Sequence, residues 1–159
     1  MGVSGSGKTT IGQKLTAATG IPFFDGDDFH PPANKEKMKA GHPLNDNDRK
    51  EWLQSINRLA REQSTKKGAI IACSALKEKY RTVLSSGIVS PVYWVLLHGS
   101  FELIHERMKL RKEHFMPPDL LQSQFDTLEL PANAILADIK NPPGEIVADI
   151  LRRLTLTGD

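Results

Sequence analysis

Gly2-Val3-Ser4-Gly5-Ser6-Gly7-Lys8-Thr9 decides how the rest of this chain is read. The stretch satisfies G-x-x-x-x-G-K-[ST] at every fixed position, the pattern of a loop that cradles phosphate. Gly2, Gly5 and Gly7 permit backbone turns that a Cβ would obstruct, so successive N–H groups can converge on one anion. Lys8 supplies a flexible point charge for β- and γ-phosphates, and the Thr9 hydroxyl is placed to ligate Mg²⁺. A helix beginning here adds partial positive charge at the same place. Gly2, Ser4, Gly5, Ser6, Gly7, Lys8, Thr9 and Thr10 are therefore the candidate nucleotide contacts. The bland alternative is a glycine-rich turn with a chance lysine; the helical pattern that follows argues against it.

Outward from the loop, helical and strand patterns alternate. Lys8 to Thr19 reads as a helix with Ile11, Leu15 and Ala18 on one face and Gly20 as its stop. Ile21 to Asp25 reads as a short strand with Pro22 near its start. A polar stretch from His30 to Leu44 holds a short helical piece around Asn34 to Ala40. Asn45 to Lys66 is a long helix, capped by Asn45 or Asp46, with Trp52, Leu53, Ile56, Leu59 and Ala60 as its buried stripe. Ala69–Ser74, Val92–Leu97 and Ala134–Ile139 read as buried strands. Helices are expected over Lys77–Ser85, Ser100–Lys112, from Pro117-Pro118 onward and from Pro143 onward. Such alternation predicts an α/β fold, a parallel sheet covered on both faces, with ligands at the carboxyl ends of the strands.

Composition narrows the class. The chain has 159 residues, enough for one domain with a substantial core. Hydrophobic content of 39% and charged content of 25% are ordinary for a soluble protein. A net charge of +2 argues against a nucleic-acid surface. No apolar run approaches a membrane span, and Met1 leads straight into the loop with no signal peptide. The single Cys73 excludes an internal disulfide and reads as a buried strand residue rather than a nucleophile. These features favour the cytoplasm.

A phosphate loop implies a nucleotide and Mg²⁺ but not an acceptor. Asp25 and Asp27 leave a strand end two residues apart, and an extended backbone points both the same way. One carboxylate can hold Mg²⁺ through water while the other takes the proton of an acceptor hydroxyl. The competing reading is that Asp27 or Asp28 caps a helix.

Several separate stretches then carry a resemblance. They are the loop itself, Asp25-Gly26-Asp27-Asp28-Phe29-His30-Pro31, and Asn34-x-x-Lys37-Met38-x-x-Gly41-x-Pro43-Leu44-x-Asp46-x-Asp48-Arg49-x-x-Trp52-Leu53. Cys73-Ser74-Ala75-Leu76-Lys77-x-x-Tyr80-Arg81, His114-Phe115-Met116 and Leu120-Leu121-x-Ser123-Gln124-Phe125-x-x-Leu128-Glu129 complete the set. Together they resemble the small phosphate-loop gluconate kinases, relatives of shikimate and nucleoside monophosphate kinases. The resemblance implies ATP-dependent phosphorylation of the 6-hydroxyl of D-gluconate. It also implies a single domain over 1–159, with a substrate-binding segment at about 29–53, a lid at about 107–118, and a homodimer. Alternative readings are a kinase for shikimate or a nucleoside monophosphate, and a nucleotide-binding module without catalysis. Intact Lys8, Thr9, Asp25 and Asp27 count against the last.

The residues suit such a substrate. We assign Thr9 and Asp25 to the metal, and Asp27 to proton removal and substrate contact. Gluconate's carboxylate calls for a guanidinium fork, and Arg49 and Arg81 are the candidates. Its hydroxyls call for mixed donors and acceptors such as Asp27, His30, Lys77 and Tyr80. Arg49 has the alternative of a helix-surface salt bridge with Asp46 or Glu51, and Tyr80 that of core packing. Arg107 and Arg111 lie four apart before the Lys112-to-Pro118 break; by resemblance they belong to the lid and act with Lys8 on the transferring phosphoryl group. Their alternative is a basic helix end favoured by the macrodipole. His114 falls in the lid without a role, and His42, His98 and His105 are assigned none. Glu113 and Glu51 depart from the family pattern without removing a proposed catalytic group.

One expectation concerns what precedes the loop. By resemblance the sheet order is 2-3-1-4-5, and only Met1 stands where the central first strand should be. A buried strand contributing four apolar side chains would be worth roughly 6–12 kcal/mol. That is comparable with a typical domain's whole stability of about 5–15 kcal/mol. Six to ten mostly apolar residues are therefore expected to belong before Met1.

Overall fold

The computed structural model describes residues 1–110 and 117–156. Helix α1 spans Lys8–Thr19 and ends at Gly20, whose left-handed backbone (φ 72°) returns its N–H to the Thr16 carbonyl. Strand β1 follows at Phe23–Asp25, shorter than the Ile21–Asp25 expectation because Pro22 has no N–H to give a neighbour. Helices α2 (Pro32–Lys39) and α3 (Asp46–Ser64) follow. A reciprocal capping box starts α3: the Asn45 side chain accepts from the Asp48 N–H while Asp48 accepts from the Asn45 N–H, each at 2.8 Å. The remainder is β2 (Ile70–Ala72), α4 (Glu78–Ser85), β3 (Val95–His98), α5 (Phe101–Lys109), α6 (Pro118–Thr127), β4 (Ile135–Asp138) and α7 (Pro143–Leu156). The α5 helix stops at Lys109 rather than Lys112, with Leu110 as its cap.

The strands form two parallel pairs, β1 with β2 and β3 with β4. Phe23 lies opposite Ile70 and Asp25 opposite Ala72; Val95 lies opposite Ile135 and His98 opposite Asp138. Met1 and Gly2 bridge the two pairs. The Met1 nitrogen donates to the Val95 carbonyl (2.6 Å), the Leu97 N–H donates to the Met1 carbonyl (3.0 Å), and the Gly2 N–H donates to the Ser74 carbonyl (3.2 Å). The central line of the expected 2-3-1-4-5 order is thus occupied by these two residues, and the sheet parts on either side of it.

Two apolar clusters cover the sheet. One gathers Val3, Ile11, Leu15, Leu97, Ile104, Met108, Ile139 and Ile150 from α1, α5, α7 and the strands. The other gathers Trp52, Leu53, Ile56, Cys73, Ala75, Tyr80 and Leu84 from α3, α4 and the end of β2. Among the described residues no helix is long and apolar enough to cross a membrane. The phosphate loop emerges between the clusters, at the carboxyl end of the sheet, as the alternating pattern requires.

Candidate active site

The loop is shaped by packing from outside as well as by its own glycines. Gly5 has φ 78°, and a Cβ there would lie 2.6 Å from the Met108 Cγ of α5. Gly7 has φ 96° and nothing within 4 Å of a Cβ position, so only its backbone conformation demands glycine. As the residue before α1, Gly7 offers no side chain to cap the helix, and the first turn carries no acid. The N–H groups of that turn are therefore available to an anion. The Lys8 Nζ folds back over the loop and donates to the carbonyls of Gly2 (3.1 Å) and Val3 (3.0 Å). Ser6 is buried to 1% exposure, so it serves the loop from within, whereas Thr9 and Thr10 are exposed. Ser4 is gripped by α6: its N–H donates to Gln124 Oε1 (2.7 Å) and its hydroxyl accepts from Gln124 Nε2 (3.2 Å).

Thr9 and Asp25 meet beside the loop. The Thr9 hydroxyl donates to Asp25 Oδ2 at 2.9 Å. This pairs two hard oxygen donors beside the loop, a set that fits Mg²⁺, which takes one or two protein oxygens alongside phosphates and water.

The chain does not stay extended after Asp25, and that expectation is corrected. Asp25 Oδ1 accepts from the Asp27 N–H (3.1 Å) and starts a 3₁₀ turn over Gly26–Phe29. An Asp at a strand end can turn the backbone with its own side chain, and here that local bond wins over extension. Asp25, rather than Asp27 or Asp28, is the cap. The turn is fixed from behind by the Trp52 indole, which donates to the Gly26 carbonyl at 2.7 Å. It leaves the Asp27 side chain 87% exposed, with its Oδ1 4.0 Å from His30 Nε2.

His30 is buried and stacks on Trp52 at 4.4 Å between ring centres. Burial, followed by the charges of Arg49 and Lys35, lowers its pKa from 6.5 to about 4. The imidazole is therefore neutral at pH 7. Asn34 Nδ2 lies 3.4 Å from His30 Nδ1 and also donates to the Asp48 carbonyl at 2.7 Å. An accepting Nδ1 leaves the proton on Nε2, the nitrogen nearer Asp27.

The other acceptor-side residues gather around Tyr80 and Asp46. The Tyr80 hydroxyl donates to Asp46 Oδ1, Lys77 Nζ lies 3.3 Å from the same oxygen, and Lys79 pairs with Oδ2. These three donors, Lys79 and Tyr80 first, hold the Asp46 carboxyl well below the usual carboxylate range. Tyr80 is pushed the other way, by burial and then by its bond to Asp46. The Arg49 guanidinium sits over the Tyr80 ring at 5.5 Å and donates to the Leu44 carbonyl. Arg49 therefore faces the cluster rather than making a surface salt bridge. Asp48 is held by Lys37 at 2.6 Å as well as by the capping box.

Arg81 differs from its expected role. It is 2% exposed, and its fork is spent on the Ala75 and Leu76 carbonyls (2.8 and 3.3 Å) and on Glu78 (2.7 Å). Ala75 has a left-handed backbone (φ 46°), a strained state for a non-glycine that Arg81 helps to hold. Arg81 thus supports the Cys73–Lys77 loop instead of presenting a guanidinium to a ligand. Cys73 is buried, and burial pushes its thiol up to about 11, so it stays protonated. Arg107 donates to the Ile139 carbonyl at 2.6 Å, tying α5 to the carboxyl end of β4. Arg111 and His114 lie outside the described residues, as does most of the expected lid.

Residue pattern alone missed two contacts. Gln124 is anchored to Ser4 across 120 residues of sequence, and Asp46 is the hub that collects Lys77, Lys79 and Tyr80. Both fall inside the stretches that carried the resemblance, which was the only signal available for them.

Comparison with known proteins identifies the family. The family model described as shikimate kinase matches residues 4–155. A protein named "Probable gluconokinase" from Dictyostelium discoideum is 46% identical over 167 residues, covering 97% of this chain and 84% of the relative. The thermoresistant gluconokinase of Escherichia coli strain K12 is 42% identical over 156 residues, covering 95% of this chain and 89% of the relative. Among solved structures, a gluconokinase from Sinorhizobium meliloti superposes with a TM-score of 0.86 at 39% identity, covering 100% of this chain and 95% of the other.

Proposed function

This chain belongs to the gluconokinases of the shikimate-kinase-like phosphate-loop family, and on that premise we propose how it phosphorylates D-gluconate with ATP. The observation that carries the proposal is a continuous run of contacts from loop to acceptor side. Thr9 touches Asp25, Asp25 holds the Asp27 N–H, Asp27 faces His30, and His30 connects through Asn34 to the start of α3, where Arg49 and Asp46 meet Tyr80 and Lys77.

The steps follow from charge and geometry. Backbone N–H groups of Gly5, Gly7, Lys8 and Thr9, where the loop runs into the first turn of α1, bind the polyphosphate, and Lys8 exchanges its carbonyl contacts for phosphate oxygens. Thr9 and Asp25 would hold Mg²⁺, which when bound neutralises phosphate charge. Asp27 takes the proton of gluconate's terminal hydroxyl as that oxygen attacks the γ-phosphorus and the bond to the ADP oxygen breaks. The neutral His30, with its Nε2 proton toward Asp27, orients the carboxylate without competing for the proton. Arg49 forks onto the gluconate carboxylate, and Lys77 and Tyr80 serve its hydroxyls. Arg107 and Arg111 act from the lid at about 107–118 over the substrate segment at about 29–53. The same reading makes the protein a cytoplasmic enzyme and a homodimer; sedimentation equilibrium checks the second.

A coupled ADP-release assay tests the proposal against its rivals. With Mg²⁺ and ATP, gluconate is expected to drive turnover, while shikimate and nucleoside monophosphates leave only background hydrolysis. Turnover with shikimate or a nucleotide in place of gluconate overturns the acceptor assignment. ATP binding with no turnover on any of them leaves a binding module.

A further inference from the structure

The end of α6 grips both halves of the site. Leu121, Phe125 and Leu128 form its apolar stripe, at i, i+4 and i+7, and pack in the cluster that holds Val3 of the phosphate loop and Leu76 before α4. Gln124 falls on the same stripe, three residues after Leu121. It puts a half-buried amide where the period calls for an apolar side chain. The orientation of that amide is settled by its partner. The Ser4 N–H can only donate, so Oε1 faces it (2.7 Å), and Nε2 is left for the Ser4 hydroxyl (3.2 Å). Ser4 directly precedes Gly5, so the grip falls where the phosphate cradle begins.

Glu129, five residues on, makes a second grip. Its N–H donates to the Leu76 carbonyl (2.8 Å), and its Oε2 accepts from the Glu78 N–H (2.6 Å). The two bonds straddle Lys77. Lys77 stands at the cap position of α4 but supplies no side-chain cap. Glu129 caps the helix from outside instead, and its carboxylate meets the positive end of α4. The Lys77 side chain goes to Asp46 (3.3 Å), beside the Tyr80 hydroxyl. The stretch between the grips is stiff, because the Leu128 N–H donates to the Gln124 and Phe125 carbonyls (3.1 and 3.2 Å).

We propose that Gln124 and Glu129 are positioning residues, which make the end of α6 a strut that sets the distance between the phosphate loop and the Lys77–Tyr80 side of the acceptor cluster. They act through Ser4 and Lys77. The inference rests on the kinase reading of the site. Phosphoryl transfer needs the reacting atoms about 3–3.5 Å apart, and a misplacement of about 1 Å can cost about 10²-fold in rate. The contacts of Asp25, Asp27, His30 and Asn34 run from the loop to α3. Those of Gln124 and Glu129 run from the loop to α4. The acceptor cluster between α3 and α4 is thus braced from both sides.

The test shortens the strut at either end without changing its chemistry. Gln124→Asn and Glu129→Asp each keep the polar group and lose one methylene of reach. Each is expected to lower kcat for gluconate at least about tenfold. ATP affinity by calorimetry should stay within about threefold, because the phosphate-facing N–H groups are untouched. Gln124→Met fills the same space without hydrogen bonds and suits the apolar stripe, so it should match Gln124→Asn even if the shorter side chain impairs folding. Glu129→Gln keeps both reach and an accepting oxygen, and should hold kcat within about threefold of the unsubstituted chain. The double variant Gln124→Asn/Glu129→Asp decides the matter. Either break disconnects the same strut, so the double variant should lose about as much as the worse single one. Losses that multiply make the two grips independent and overturn the proposal. Unchanged kcat in the single variants overturns it too, as does an equal loss in Glu129→Gln and Glu129→Asp. The unsubstituted chain tests the reading beneath it. If that chain turns over another acceptor, the same variants are read on that acceptor; if it turns over none, reading and strut fall together.

Discussion

The phosphate loop and the acceptor side recognise their ligands by opposite means. The loop offers backbone N–H groups, and its shape is held by apolar packing against Gly5, a gripping Gln124 and buried Ser6. The acceptor side offers side chains, and they are held by polar contacts: the Asn45–Asp48 box, Lys37 on Asp48, and the Asp46 hub under Tyr80. Polyphosphate is common to every nucleotide-dependent kinase, so a rigid backbone cradle suffices for it. A sugar acid has a particular array of hydroxyls, and only side chains can match it. Substitutions on the two sides should therefore fail differently.

The largest effect is expected where the two sides meet. Asp27→Asn should lower kcat by about 10²–10⁴-fold. ATP affinity should survive, because the Asp27 side chain is exposed and the loop is held by other groups. Stopped-flow turnover and calorimetric ATP titration check the two halves. A near-normal kcat would show that Asp27 is not the base and that the junction lies elsewhere.

Within the loop, Gly5 and Gly7 separate packing from backbone strain. Both adopt left-handed φ, which costs a non-glycine residue about 1–2 kcal/mol. Only at Gly5 would a Cβ also meet Met108. Without nucleotide, Gly7→Ala should lower Tm by about 2–4 °C, and Gly5→Ala by about 6–10 °C. Adding Met108→Ala should narrow the gap between them. Equal losses at the two glycines would mean that α5 does not shape the loop.

On the acceptor side the effect is narrower. Arg49→Lys keeps the charge but loses the fork, and should raise gluconate KM by about tenfold with ATP KM nearly constant. Equal changes in both constants would make Arg49 a structural residue shared by the two sides.

How much of this was legible in sequence follows the same division. The loop could be read from consecutive residues because its requirements are backbone requirements, and glycine spacing records them. The helix over Asp46–Ser64 was legible for a similar reason, with a local cap and a periodic stripe. The acceptor cluster was legible only by resemblance: Asp46 meets Tyr80 across 34 residues, and no local pattern announces that. Arg81 looked like a ligand fork because type and position fit one, but its fork is consumed by carbonyls that the Ala75 turn exposes. The extended Asp25–Asp27 reading failed because an Asp side chain competes with the strand for the nearest N–H.

The smallest effect is one of pH, and it belongs to the acceptor side alone. Unfolded, His30 binds a proton below about 6.5; folded, it does so only near 4. Between those values the unfolded state carries more protons, so stability should fall as pH is lowered through that window. His30→Asn should flatten the slope there. The lowered pKa values of Asp46 and Asp48 act in a separate window, below the ordinary carboxylate value of 3.8. Denaturant midpoints measured from pH 7 to 4 check this, and an unchanged slope in the variant would assign the window to another group.

The account as a whole rests on which oxygen receives the phosphate. Phosphorus–proton correlated NMR of the product formed from ATP, Mg²⁺ and D-gluconate decides it. The expected result is a single phosphomonoester coupled to the terminal methylene protons, the signature of 6-phosphogluconate, formed in step with ADP. Phosphate on another carbon, or ADP accompanied only by inorganic phosphate, would contradict the account.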